Sequence, residues 1–180
     1  KKELTQALNI IETYTVDTRI QTTMKNKLKV QWNLNSKEQS LDFHGIDISR
    51  DGYQIVTTIL ESSLSIHKLN LHGCNLGLQG MKAIATILIS NKSLKHLNLG
   101  NNPLSDSGCE LLSEALQSNK ELEELFLFAC GIRVGSMKTL VRVASKHQRL
   151  KKLNLRSNDI TSDQRTEVQS LDVDGIVQIQ

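Results

Sequence analysis

At 180 residues, with 38% apolar and 23% charged side chains, the chain is long enough for one sizeable core, and its 3% aromatic content leaves aliphatic side chains to build it. A formal charge of +3, dispersed along the sequence, lacks the clustered basic face of a nucleic-acid binder, and that partner class is set aside. No run of about 18 apolar residues occurs, so no membrane span is expected, and the start carries no basic-then-apolar leader of secretory type. The chain begins at Lys1 without a methionine, as expected of a piece of a longer polypeptide whose targeting signals lie elsewhere.

Residues 1–36 follow no repeat. Leu4, Ala7, Leu8 and Ile11 recur at helical spacing, whereas "TYTVDTRIQT" and "KLKVQWNL" alternate in the manner of strands, with a turn around Lys25 and Asn26. The expectation is a helix followed by a hairpin, a flank or cap covering the open first repeat, since terminal units of a stacked array need a more polar outer face.

Residues 37–171 match themselves at a shift of 28, with starts at Ile66, Leu94, Leu122 and Leu150. From each start the same steps read Ile66, Leu69, Leu71, Cys74 and Leu76, then Leu94, Leu97, Leu99, Asn102 and Leu104. They continue as Leu122, Leu125, Leu127, Cys130 and Ile132, then Leu150, Leu153, Leu155, Asn158 and Ile160. A degenerate copy counted from Glu38 precedes them, with Leu41, Phe43, Ile46 and Ile48 in register. Leu97 and Leu99 alternate with His96, Asn98 and Gly100, the period of a short strand with one buried face. The chain then turns inward, and the turn's backbone groups need partners away from water. Asn102 can donate and accept at once, which makes it a buried bracket for the turn, with Asn158 repeating the role. Cys74 and Cys130 fit the same slot as small apolar groups with a weak donor.

The second half of each repeat changes period. In "SDSGCELLSEALQSNK", Cys109, Leu112, Ala115 and Leu116 fall at helical spacing, as do Met81, Ile84 and Leu88 one copy earlier. Gly52, Gly80 and Gly108 share one position near the helix start, where Ser136 stands in the fourth copy, and a close approach of helix to strand layer is expected there. Residues 161–171 lack the helix pattern. The last strand-like stretch, "LDVDGIVQIQ", leaves residues 172–180 as a tail or a truncated repeat.

The pattern resembles the leucine-rich repeat, "LxxLxLxx(N/C)xL", over about three quarters of the chain. A period of 28 with Asn and Cys alternating at the eighth step resembles the ribonuclease-inhibitor-like subfamily, which includes the repeat regions of NOD-like receptors and of the Ran GTPase-activating protein. The resemblance implies a right-handed α/β solenoid, a horseshoe segment with parallel strands on its concave face and helices on its convex face. It also implies an intracellular, cytoplasmic protein that binds another protein, with no enzymatic activity and no cofactor.

The remaining candidates for chemistry are weaker. Cys74 and Cys130 lie two repeats apart, so their Cα atoms are expected at least roughly 9.6 Å apart, beyond the ~7 Å that a bridge allows. With Cys109 on the helix side, all three are expected as free thiols of a reducing compartment. His44 and His72 occupy equivalent concave positions but lack a third ligand, so no metal site is expected. No nucleophile elbow and no glycine-rich phosphate loop occurs. The one glycosylation sequon, Asn91-Lys92-Ser93, is the sole sign of a secreted alternative. The runner-up function is a small-GTPase regulator, which the resemblance to the Ran activator implies for a loop arginine; Arg50 and Arg133 fall in strand-to-helix loops without a motif that transfers the role.

The concave face is the better candidate. Its projecting residues are Lys68, Asn70 and His72, then His96, Asn98 and Gly100, then Glu124, Phe126 and Phe128, then Lys152, Asn154 and Arg156. Phe126 and Phe128 are expected to point outward beside one another, flanked by Arg156, His96 and Lys152. Aromatic and arginine side chains together are the usual composition of a protein-binding hot spot. The partner's identity and the oligomeric state are not encoded in the repeat.

Overall fold

The computed structural model describes residues 2–14, 17–31, 39–50, 52–62, 65–172 and 174–179. Two helices, Lys2–Thr13 (α1) and Thr18–Gln31 (α2), precede the first strand, Gln39–Asp42 (β1). Strand and helix then alternate as Gly52–Glu61 (α3), Ile66–Asn70 (β2), Gly77–Ser90 (α4), His96–Asn98 (β3) and Ser105–Ser118 (α5). Glu124–Phe126 (β4), Val134–Ala144 (α6), Lys152–Asn154 (β5), Ser162–Gln169 (α7) and Val177–Gln178 (β6) complete the order. The six strands form one parallel sheet in sequence order, β1 to β6. Each of α3 to α7 is the crossover between neighbouring parallel strands, which gives an open α/β solenoid.

Register follows the 28-residue shift. Leu69, Leu97, Leu125 and Leu153 stand opposite one another on successive strands, and all are buried. Opposite faces of a strand alternate, so this leucine column points at the helices while its neighbours point to the other side. The helices meet the leucines with Ile84 and Leu88 of α4, Cys109 and Leu112 of α5, and Met137 and Leu140 of α6, all buried. One continuous aliphatic core runs the length of the array.

The bracket expected at Asn102 is present. Its Oδ1 accepts from the backbone N–H of Cys74 and Leu76, each at 3.1 Å, and its amide donates to the carbonyls of Leu71 at 2.8 Å and Leu99 at 2.9 Å. Asn158 repeats it, accepting from Cys130 and Ile132 and donating to Leu127 and Leu155. In the cysteine copies the thiol donates, Cys74 to the Phe43 carbonyl at 3.2 Å and Cys130 to that of Leu99 at 3.4 Å, while backbone N–H groups of the preceding turn face the sulfur, Gly45 and Ile46 at Cys74 and Asn101 and Asn102 at Cys130. Both residue types thus tie two consecutive turns together, the asparagine through amide bonds and the cysteine through the weaker ones of a thiol.

The helix-start glycines sit at a close approach, though to a side chain of the preceding turn and not to the strand layer. A Cβ on Gly52 would lie 2.9 Å from Cβ of Ile48, and one on Gly80 would lie 2.9 Å from Cγ of Leu76. Ile48 and Leu76 are the buried aliphatic residues that end each turn.

Two expectations are corrected. The stretch expected as a hairpin holds a helix and no strand among its described residues: α2 runs from Thr18 to Gln31, Tyr14 and Asp17 lie between α1 and α2, and residues 15–16 and 32–34 of the two quoted segments lie outside the described residues. Met24 and Leu28, four apart, are its buried stripe, and the alternation that resembled a strand arose because Val30 is 87% exposed. The first helix stands as expected, with Ala7 and Ile11 buried. The Gln31 carboxamide meets the backbone of β1 as a neighbouring strand would, accepting from the Asp42 N–H at 2.8 Å and donating to the Asp42 carbonyl at 3.0 Å.

The second correction is α7. Only Val168 of this helix is buried, so it carries no apolar stripe to detect. Its signal is a capping box, in which Thr161 accepts from the Gln164 N–H and the Gln164 side chain accepts from the Thr161 N–H. Leu153 pairs with Val177, 24 residues on, because this helix is shorter than α5.

Candidate functional site

The strands place the expected concave residues in ladders. Lys68, His96, Glu124 and Lys152 form one row, and Asn70, Asn98, Phe126, Asn154 and Gln178 the next. In the first row the His96 ring and the Glu124 carboxylate meet at 3.0 Å across adjacent strands. Lys68 is exposed, and the Lys152 ammonium lies 5.0 Å from the centre of the Phe126 ring. That distance is within the range of a cation–π contact.

Most of the second row is a structural device. Asn70, Asn98 and Asn154 each accept the backbone N–H two residues on, from His72 at 3.1 Å, Gly100 at 3.0 Å and Arg156 at 3.1 Å. Asp42 does the same for His44 at 2.9 Å. Burial works to raise the Asp42 carboxyl, but the backbone and ring hydrogen bonds from His44 outweigh it and hold the group below its ordinary value. At this position the oxygen fixes how the chain leaves the strand, as short polar side chains do in turns. Phe126 occupies the same row and has no such oxygen.

Beyond the strands, His72, Gly100, Phe128 and Arg156 share a row in the turns. The rings of His72 and Phe128 stack with centroids 5.1 Å apart and planes inclined by 23°. They reach each other across Gly100, where an added Cβ would lie 2.6 Å from Phe128 Cζ. Phe126 and Phe128 are both half-buried, and each takes a different partner, Phe126 towards β5 and Phe128 towards β2. Arg156 is exposed at the end of the row.

The other candidates resolve into structure. Cys74, Cys109 and Cys130 are buried and free, and burial pushes their thiols up to about 11, 12 and 11. Such thiols stay protonated and unreactive at neutral pH. His44 bonds to the Asp42 carboxylate at 2.8 Å while Lys27 reaches the His44 carbonyl at 2.7 Å, and His72 is committed to Phe128. Among the described residues no three His, Cys, Asp or Glu side chains are grouped to hold a metal. Arg133 is 79% exposed and faces the Asp106 carboxylate at 3.7 Å. Arg50 lies exposed in the turn before α3. Among the described residues no helix is long and apolar enough to cross a membrane.

One ladder escaped the sequence reading. Asn91 accepts the N–H of Ser93 and Leu94 and donates to the Leu60 carbonyl at 3.2 Å, so the amide of the sequon is already engaged. Asn119, 28 residues on, accepts from Glu121 and Leu122 and donates to Leu88 at 2.7 Å. His147 follows at the same step, its Nδ1 accepting from Leu150 at 3.0 Å and Arg149 at 3.3 Å. The recurrence of asparagine at the shift of 28 was the signal available in the sequence.

A family model described as "Leucine Rich repeat" matches residues 62–85, 90–113 and 146–163. No curated protein matches the sequence. Among solved structures, one described as "Leiomodin-1 Actin-Binding Site 2 (ABS2)" is similar, with a TM-score of 0.61 and 14% identity over 74% of this chain and 80% of that one. At that identity the likeness is one of fold. The chain carries leucine-rich repeats and folds as a leucine-rich-repeat solenoid.

Proposed function

We propose that this solenoid is a protein-recognition module that engages a partner through its concave face and rim, within a larger intracellular receptor or scaffold of ribonuclease-inhibitor type. One observation carries the reading: Phe126 replaces the turn-forming asparagine of its row. Strands β2, β3 and β5 keep Asn70, Asn98 and Asn154 there, each holding a backbone N–H. Surrendering that bond places an aromatic ring on the exposed side of the sheet. The ring lies under the Lys152 ammonium and two residues from the Phe128 ring that crosses Gly100.

A strand array presents such side chains with little ordering cost, which favours affinity without any catalytic step. The pairing of α1 and α2 against the first strand and helix fits a cap for the open end of the array, as Gln31 and β1 suggest. The period of 28 and the alternation of Asn102 and Asn158 with Cys74 and Cys130 support the subfamily assignment.

The test is affinity capture with the wild-type chain and the Phe126→Asn variant, which restores the residue native to the row and so should fold at least as well. Loss of one partner from the variant supports the reading. Identical capture by both, with equal folding, would place recognition elsewhere. Actin enters as a specific arm of the same assay, since the similar leiomodin-1 structure is titled an actin-binding site.

A further inference from the structure

Over much of the chain, cations meet carboxylates: Lys25 pairs with Glu12 at 2.8 Å, Arg149 with Glu121 at 3.1 Å and Lys151 with Glu123 at 2.7 Å. On the concave face the carboxylates go to histidines instead, Asp42 to His44 at 2.8 Å and Glu124 to His96 at 3.0 Å. Lys68, Lys152 and Arg156 project from that face, and among the described residues none of the three has an acidic partner.

Lys152 stands directly opposite Glu124 in the ladder between β4 and β5, the usual place for a cross-strand ion pair. Its ammonium lies instead 5.0 Å from the centre of the Phe126 ring. A ring face uses an ammonium only as a charge, so its hydrogens stay available to an incoming acceptor. Lys68 is exposed at the other end of the same row, and Arg156 is exposed just beyond β5. The strand face thus carries uncompensated positive charge on both sides of a half-buried aromatic ring.

The spacing suits an extended chain. From β2 to β5 the two lysines are three strand spacings apart, roughly 14 Å. Four residues of extended chain cover roughly 13 Å, and alternate side chains point the same way. A segment crossing the sheet therefore reaches both lysines with its residues i and i+4 and turns residue i+2 towards Phe126. Glu124 lies under the middle of that path, where a third negative charge would be repelled. The same carboxylate disfavours a nucleic-acid strand, which carries a charge at every phosphate.

We infer, building on the recognition reading above, that the partner presents an acidic extended segment to the strand face, with carboxylates at i and i+4 and an apolar or aromatic residue at i+2. Lys68 and Lys152 take the carboxylates, Phe126 packs against the middle residue, and Arg156 adds to the attraction. Complementary charge of this kind selects among partners and speeds their encounter.

The experiment is a titration of the whole chain with an end-capped peptide, Glu-Thr-Trp-Thr-Glu, followed by backbone amide chemical shifts in a low-salt buffer; threonine favours the extended form. Saturable shifts are expected within residues 68–72, 96–100, 124–128 and 152–156. Replacing both glutamates of the peptide by glutamine should weaken binding about tenfold, and replacing them by lysine should abolish it. The Lys68→Gln, Lys152→Gln double variant should bind the acidic peptide about tenfold more weakly, and Phe126→Asn several-fold more weakly. Arg142→Gln with Lys146→Gln, the same change of net charge on the helical face, should leave it unaltered. Equal binding of the glutamine peptide at the same strand residues would overturn the acidic specificity and leave recognition by the strand face standing. Shifts confined to the helices, no saturation, or tighter binding of single-stranded oligothymidylate to the strand residues would also overturn it. The recognition reading keeps its own separate test in capture by the wild type against Phe126→Asn.

Discussion

The rings of His72 and Phe128 stack 5.1 Å apart although two repeats separate them, because Gly100 between them has no side chain. The contact organises the strand face: it fixes an aromatic surface spanning three turns, and its geometry depends on an empty position. Adding a side chain at Gly100 should displace the half-buried Phe128 ring rather than break the sheet beneath it. Gly100→Val is therefore expected to abolish partner capture, as Phe128→Ser should, with thermal unfolding shifted by no more than the few degrees of a ~1 kcal/mol loss. Retained capture by Gly100→Val would separate the stacked pair from recognition.

The turns also store backbone strain at a repeating position. Gly45 and Gly73 adopt φ of 71° and 61°, and the same step holds Asn101, Ala129 and Ser157 at 54°, 52° and 57°. Ala129 has neither the glycine's freedom nor a polar side chain that bonds locally, so it bears the largest share of the left-handed cost, about 1 kcal/mol. Ala129→Gly should stabilise the chain by up to that amount, less the entropy glycine adds to the unfolded state. The reverse change, Gly73→Ala, should destabilise it by about 1–2 kcal/mol. Urea unfolding midpoints at unchanged slope would measure both.

Asn102 and the cysteine copies predict an order of substitutions. Asn102 is 1% exposed and answers two N–H groups and the carbonyls of Leu71 and Leu99. Asn102→Ala leaves several of these unsatisfied and should cost about 3 kcal/mol or more. Asn102→Cys should cost less, since a thiol in the same slot at Cys74 and Cys130 answers carbonyls and fills the space. Equal losses for the two variants in equilibrium unfolding would remove the bracket role.

These brackets mark what was legible in the sequence. Buried leucines at a fixed period can meet only as stacked strands and helices, so the register Leu69, Leu97, Leu125 and Leu153 was readable before any coordinates. The flanks were less so, because a helix is recognised by its buried stripe: α2 buries Met24 and Leu28, and α7 buries Val168 alone. At the candidate site, the projecting residues were readable from alternation. The roles within them were not. Asn70, Asn98 and Asn154 look like contact residues until their oxygens are seen on backbone N–H groups, and only then does Phe126 stand out as the departure.

His147 adds a pH dependence with a definite sign. Burial holds the ring's pKa below the ordinary histidine value, the Asn119 carbonyl works against that, and the charge of Lys120 reinforces it. Protonating Nδ1 would also cancel its acceptance of the Arg149 and Leu150 N–H groups. The folded-state pKa therefore lies below the unfolded value of about 6.5. Its contribution is complete above that pH and is lost as the pH falls towards the folded value, since the unfolded chain then binds the proton more readily. The loss has a ceiling of about 1.4 kcal/mol per pH unit in this window. His147→Asn supplies the turn with the acceptor used at Asn91 and Asn119 and cannot titrate. Unfolding free energies of the two proteins at pH 7.5, 6 and 5, in the same salt, cancel the common carboxylate terms. The wild type should lose more stability than His147→Asn below about pH 6.5, and parallel curves would show that the ring keeps its unfolded affinity for protons.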